Sequence, residues 1–271
     1  ETYGKDAWNH YLAVLKKYDF KLGISKYSHH RKDFPLKARM NFQYLQCLDL
    51  WDQNYQNHLE QKTPYDILSP QPEGKILKLA KYTTDLFEKI INGEEFYALM
   101  FLGMAREGQT YGKYMEAVTI NRRMLKDPAV KQFLYRKLKK YITEAKLGKI
   151  YADGFYHTIV GDMVGYLEYA AGREPVGCLK EGEFYAPCLP EGEALSFRSP
   201  LVDPSEVNQV RLVSSPTLRQ WFSQFEDQDI AMINMYDLSL PQQGGADCDG
   251  DAVLLCCDPA LMGTRLEKPI I

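Results

Sequence analysis

Three aspartates, Asp247, Asp249 and Asp251, stand at alternate positions in the stretch GGADCDGDAVLLCCD, just ahead of an apolar run. Carboxylates at i, i+2 and i+4 converge on one point if the chain curls, and Gly250 permits the curl. Held a few ångströms apart, three anions raise one another's pKa unless a cation keeps them ionised. The donor type selects the ion. Mg2+, with Mn2+ as a substitute, takes hard carboxylate oxygens, keeps some waters and leaves room for substrate phosphates. The chemistry of such a loop is phosphoryl transfer. Gly244 and Gly245 lack side chains, so a nucleotide or an RNA end could approach the backbone there.

Three look-alikes compete. An EF-hand loop also begins D-x-D-x-D, but it needs Gly at its sixth position and Glu at its twelfth. Counted from Asp247, those places hold Ala252 and Asp258. A phosphatase loop of the D-x-D-G-T kind has its apolar strand before the first aspartate; here LPQQGG precedes and AVLLCC follows, and Asp251 replaces the Thr. A solvated acidic turn is the bland alternative, since D-G pairs are common in turns, but a turn does not require three aspartates.

The elements around the loop divide the chain into two textures, an α+β pattern. Residues 1–172 read as mainly helical. PEGKILKLAKYTTDLFEKIIN places Ile76, Leu79, Ala80, Thr83, Leu86, Phe87, Ile90 and Ile91 at helical spacing, with a stop at Asn92-Gly93. DPAVKQFLYRKLKKYITEAKLGK offers Asp127 as N-cap and Pro128 in the first turn, where a missing N–H costs nothing. KARMNFQYLQCLDLWDQNYQNHL reads as a third helix. From residue 173 on, Pro and Gly punctuate short apolar runs, the signature of a compact β barrel or sandwich. SPTLRQWFSQFED is one short helix among them, and the boundary falls near 171–173.

Charge follows the same division. Residues 173–271 hold 7 Lys and Arg against 16 Asp and Glu, whereas residues 1–172 hold 26 against 20. A basic half suits a phosphate backbone and an acidic half suits cations. The run Arg136, Lys137, Lys139 and Lys140 is a candidate nucleic-acid contact, with a solvated helix face as the plainer account. The six cysteines form no C-x-x-C pair and read as reduced thiols of a cytoplasmic protein; the five histidines show no H-x-x-x-H spacing. No apolar stretch approaches the roughly 18 residues of a membrane span. The opening ETYGKDAWNHYL is no signal peptide, and a chain that begins with Glu1 reads as a piece of something longer.

GADCDGD is similar to the N-A-D-F-D-G-D signature in the largest subunit of cellular RNA polymerases. Ala246, Asp247, Asp249, Gly250 and Asp251 match, while Gly245 replaces Asn and Cys248 replaces Phe. The longer string resembles the form in RNA-silencing RNA-dependent RNA polymerases and their single-chain phage and bacterial relatives. SFRSPLVDPSEVNQVRLVSSP is similar to their R-x-P segment, and VGCLKEGEFY to the opening strands of the same barrel. The resemblance implies a double-psi β barrel over 173–271, with Asp247, Asp249 and Asp251 binding the catalytic Mg2+ and a second ion arriving with the NTP. It makes Arg198 a contact to the ribose of the incoming nucleotide, a core-edge salt bridge being the structural alternative. It also implies NTPs, a nucleic-acid template and an RNA product as partners.

RMNFQYLQCL and GKIYADGFYHTIVGDMVGYLEY resemble segments that precede the catalytic barrel, where helices connect two barrels and the earlier one supplies lysines to the substrate phosphates. Residues 1–40 are too short for such a barrel, with Lys21, Lys26, Lys32 and Lys37 as at most its tail. Another polymerase portion or chain is therefore expected to carry it. The non-enzymatic alternative is an accessory or degenerate barrel that binds nucleic acid or a polymerase. Three intact aspartates, which repel phosphate, argue against that reading.

Overall fold

A computed structural model of the chain describes residues 6–19, 35–50, 75–104, 112–226 and 228–267. Helix α1 (Ala7–Tyr18) comes first, followed by strand β1 (Lys37–Arg39) and the short α2 (Phe42–Gln46). Then come α3 (Lys75–Ile91), α4 (Glu95–Leu99) running into a π-helical turn (Met100–Met104), α5 (Lys113–Ile120) and α6 (Pro128–Lys146). None of the helices among the described residues is long and apolar enough to cross a membrane.

The start and stop signals of the long helices act as read. Asp127 Oδ1 accepts from the N–H groups of Ala129 and Val130 and so caps α6. Gly93, at φ +80°, ends α3 in the left-handed conformation, with its N–H on the Ile90 carbonyl. Leu79, Thr83, Leu86, Phe87 and Ile90 of α3 are buried as the periodicity requires. Ile91 instead faces outward at the helix end.

The third helix of the sequence reading is corrected. Its first residues form β1, which pairs antiparallel with the start of strand β2 (Tyr151–Val160), and only Phe42–Gln46 is helical. The physical reason is alternation: Ala38 is buried between half-buried Lys37 and Arg39, a period of two. Residues 51–59 of that expected helix lie outside the described residues.

After β2 the chain forms α7 (Met163–Ala170), β3 (Glu183–Tyr185), β4 (Gly192–Arg198), β5 (Asn208–Leu212) and α8 (Pro216–Trp221). Strand β6 (Ile230–Ile233), α9 (Ser239–Gln242) and β7 (Ala252–Cys256) complete it. Hydrogen bonding runs β2-β6-β3-β5-β4-β7, and β7 returns to β2, so the sheet closes into a mixed six-stranded barrel. The pairs β2–β6 and β3–β5 are parallel and the others antiparallel. Exchanging β2, β3, β4 for β5, β6, β7 leaves every pairing unchanged. In that twofold exchange every pairing joins one half to the other and the two parallel pairs, β2–β6 and β3–β5, change places, which is the double-psi arrangement, and the chain is α+β.

The barrel draws on residues before 173. β2 was placed in the helical half, yet it pairs with β1, β6 and β7. The expected boundary at 171–173 therefore falls beyond the first barrel strand. All six strands send residues inward, among them Ile159, Phe184, Ala194, Val210, Ala231 and Val253. The outer faces of β4 and β7 carry Leu195, Phe197, Leu254 and Cys256, which pack with Tyr44 of α2 and Leu79 of α3. Tyr44 stacks on Phe197 with ring centroids 4.9 Å apart. β7 is buried on both faces, which explains why AVLLCC reads as an unbroken apolar run.

Candidate metal centre

Residues 243–251 join α9 to β7, and their path is set by side chains that bond the backbone from below. Buried Gln243 donates from Nε2 to Ser196 Oγ inside the barrel at 2.8 Å. Buried Asn208 donates from Nδ2 to the carbonyl of Ser239 at 2.8 Å, fixing α9. Gly244 and Gly245, at φ +63° and +72°, turn the chain out of α9. A Cβ at Gly245 would meet nothing within 4 Å, so glycine is needed there for conformation rather than for space. Ala246 then dips into the barrel interior as a plug.

The three aspartates follow. Each offers a carboxylate oxygen, and these oxygens all lie within 4.8 Å of one another. The curl is held by the loop itself: the Asp247 N–H donates to Asp251 Oδ2 at 3.2 Å, and the Asp249 N–H donates to Asp247 Oδ1 at 3.2 Å. Gly250, at φ +127°, supplies the reversal between them. The Asp251 carbonyl accepts from the Ile159 N–H at 2.9 Å, which ties the loop to the C-terminal end of β2. Asp247 and Asp249 are exposed and Asp251 is half-buried.

Arg198, at the last position of β4, binds this loop twice. Its Nε and Nη2 lie 3.1 and 2.9 Å from Asp251 Oδ2, and its Nη1 donates to the carbonyls of Gly244 and Gln243 at 3.0 and 3.3 Å. Nε and Nη1 are the donors in these hydrogen bonds, while Nη2 stands at ion-pair distance from the same Asp251 oxygen.

Three carboxylates against one guanidinium leave two net negative charges at one point, the complement of a divalent cation. Asp249 shows the strain of that excess. Its carboxyl is raised above the usual range by a hydrogen bond with the Asp247 carboxylate and by that neighbour's charge, with the charge of Asp251 adding to them. The donor set is hard oxygen only, open to solvent on two members, and fits Mg2+ or Mn2+.

The sequence reading named Asp247, Asp249, Asp251, Arg198, Gly244 and Gly245, and all six meet in this loop and the strand end beneath it. Gln243, Ser196 and Asn208 were missed. Their signal was present: Ser196 in ALSFR and Asn208 in VNQV are polar at strand positions whose alternation turns them inward. Of the four N-terminal lysines, Lys21, Lys26 and Lys32 lie outside the described residues. Lys37 is paired with Asp153 and sits over the Tyr82 ring, away from the loop.

The fold and site define a closed mixed barrel that carries an acidic loop on the approach to one strand. No protein-family model and no curated protein matches the chain. Among solved structures it is similar to the RNA dependent RNA polymerase QDE-1 from Thielavia terrestris, at 20% identity and a TM-score of 0.42. The match covers 86% of this chain and 26% of that one, so the chain spans about a quarter of that polymerase's length.

Proposed function

We propose that this chain is the metal-binding portion of a nucleotidyltransferase that makes RNA from NTPs on a nucleic-acid template. The observation that carries the reading is the convergence of Asp247, Asp249 and Asp251 within 4.8 Å, with Arg198 compensating only one of them. Asp247, Asp249 and Asp251 would hold Mg2+. The chemistry that a pair of divalent ions supplies in such a site is acidification of an attacking hydroxyl and neutralisation of charge on the transferred phosphoryl oxygens.

The chain's own residues do the positioning. Arg198 fixes Asp251 and the Gly244 carbonyl in one geometry, so the Asp251 carboxylate is already positioned when a cation arrives. Its Nη2 is the group that would reach a ribose hydroxyl of the incoming nucleotide. The turn at Gly244 and Gly245 presents bare backbone to a substrate. Positive charge for the triphosphate is scarce near this loop: Lys180 is the one lysine of the described residues after 172, and it lies on the connection leading into β3. The lysines must come from the basic half, from a further polymerase portion or from a partner chain.

The test is nucleotide incorporation on RNA and DNA templates with Mg2+ or Mn2+, with and without a lysine-bearing polymerase portion added. The reading expects metal-dependent incorporation that rises when that portion is supplied and vanishes in Asp251→Asn. Nucleic-acid binding with no incorporation under any of these conditions would instead identify an accessory barrel.

A further inference from the structure

Outside the acidic loop, the strongest unexplained feature is the outer face of α6. Lys131, Tyr135, Arg136, Lys139, Lys140 and Lys146 are all exposed there, the first five in two adjacent i, i+4 rows and Lys146 two turns beyond Lys139. The one carboxylate on the helix, Glu144, is half-buried and taken by Arg39. Lys137 is not part of the face. It is half-buried over the rings of Phe101 and Tyr141, and burial lowers its pKa. The basic run of the sequence thus splits into a packed cation and a surface row.

An ordinary solvated helix mixes signs, as α3 does with exposed Lys78, Lys81, Asp85 and Glu88. On α6, Arg136 faces Lys139 and Lys140 at i+3 and i+4, so the row repels itself. Folding gains nothing from that arrangement, and a polyanion would relieve it. From Lys131 to Lys146 the row is about 22 Å long and carries five cations, their separations along the axis running from about 1.5 to about 9 Å.

We infer that this face binds the phosphate backbone of a nucleic acid, with the Tyr135 ring, 65% exposed, as a stacking surface for a base. A membrane-surface helix keeps an apolar face for lipid, but the apolar side of α6 is already packed: Leu138 with Leu86, Phe87 and Phe101, and Val130 with Leu99 and Val118. The face also lies at a useful place. α6 leads directly into β2, whose far end holds the Asp251 carbonyl about 26 Å further on at roughly 3.3 Å per residue. A strand bound to α6 would be gripped some way from the acidic loop rather than in it. The inference does not depend on the nucleotidyltransferase reading.

The test uses the full chain and a labelled single-stranded RNA of about 20 nucleotides, followed by anisotropy in EDTA so that the metal site plays no part. Five neutralised phosphates give a slope of log affinity against log salt of about −3.5, a loss of roughly a hundredfold between about 50 and 200 mM salt. The variant K131Q/R136Q/K139Q/K140Q/K146Q should lose most of that slope and keep its melting temperature, since all five side chains are exposed. The smaller variant K139Q/K140Q should reduce the slope by about 1.4. Removing exposed barrel cations instead, in R173Q/K180Q/R219Q, should leave the slope unchanged. Parent-like RNA binding by the five-site variant would overturn the inference, as would an equal loss in the barrel control. So would binding to phosphatidylserine vesicles that exceeds binding to RNA and falls in the five-site variant.

Discussion

Arg198 shows how one side chain serves both fold and site. Its side chain is 18% exposed, and the guanidinium joins the end of β4 to Asp251 and to the carbonyls that leave α9. Arg198→Ala would take the guanidinium from those acceptors, leaving Asp251 Oδ2 with the Asp247 N–H, and loss of charged hydrogen bonds of this kind costs about 1–3 kcal/mol. We expect a lowered melting temperature and, in nucleotide addition, an apparent KM for NTP that rises more than template affinity falls. Lost stability with unchanged nucleotide kinetics would make Arg198 a structural residue only. Asp237 works one step further back, at the turn before α9. Burial pushes its carboxyl up, but this is outweighed by hydrogen bonds from Ser239, Gly182 and Asn234, so its pKa lies below the usual value. A folded-state pKa below the unfolded value of about 3.9 means stability that is complete above that pH and lost as pH falls through the folded value. Thermal melts of Asp237→Asn should therefore lose less stability than the parent between neutral pH and the acid range. Parallel loss in both would show that Asp237 contributes nothing.

At the scale of elements, what was legible was what is local. The Asp127 cap, the Gly93 stop, the five short strands after residue 173 and the acidic loop each depend on neighbours within a few residues. What was not legible was pairing over long separations. YADGFYHTIV was read with the helices because its period is broken: Gly154 and Phe155 are both buried neighbours in a strand where burial alternates before and after them. The structure shows why a glycine sits there. Gly154 has φ +146°, and a Cβ on it would come within 2.2 Å of the Leu255 carbonyl oxygen. Gly154→Ala must therefore push β7 off β2, and a change of this kind belongs to the destabilising tail of about 2–4 kcal/mol or more. Chemical denaturation checks it directly. A parent-like midpoint would mean that the β2–β7 contact is looser than the geometry shows. The partners of the buried amides Gln243 and Asn208, 47 and 31 residues away, were not legible for the same reason, although the inward strand position of Asn208 was.

Across the whole molecule, charge is segregated in a way the fold makes use of. The acidic loop tops a barrel of net negative charge, whereas the uncompensated cations line α6, beyond the other end of β2. The helices and the barrel are not independent pieces: Tyr44 and Leu79 share one core with Phe197 and Leu254. The two charged regions are thereby held in one frame, the acidic loop at one end and the basic face of α6 at the other. The composition made the segregation visible, but only the structure shows that α6 concentrates it and that Lys137 has left the row.

Calorimetric titration of Mn2+ into the full chain and into Asp249→Asn tests the central claim most directly. Asp249 is exposed and its charge is opposed by its neighbours, so the variant should melt at or above the parent's temperature without metal. The account predicts saturable Mn2+ binding by the parent, weakened at least about tenfold in the variant, as expected when one of three carboxylate ligands is lost. Equal Mn2+ affinity in the two proteins, or none in the parent, would contradict it.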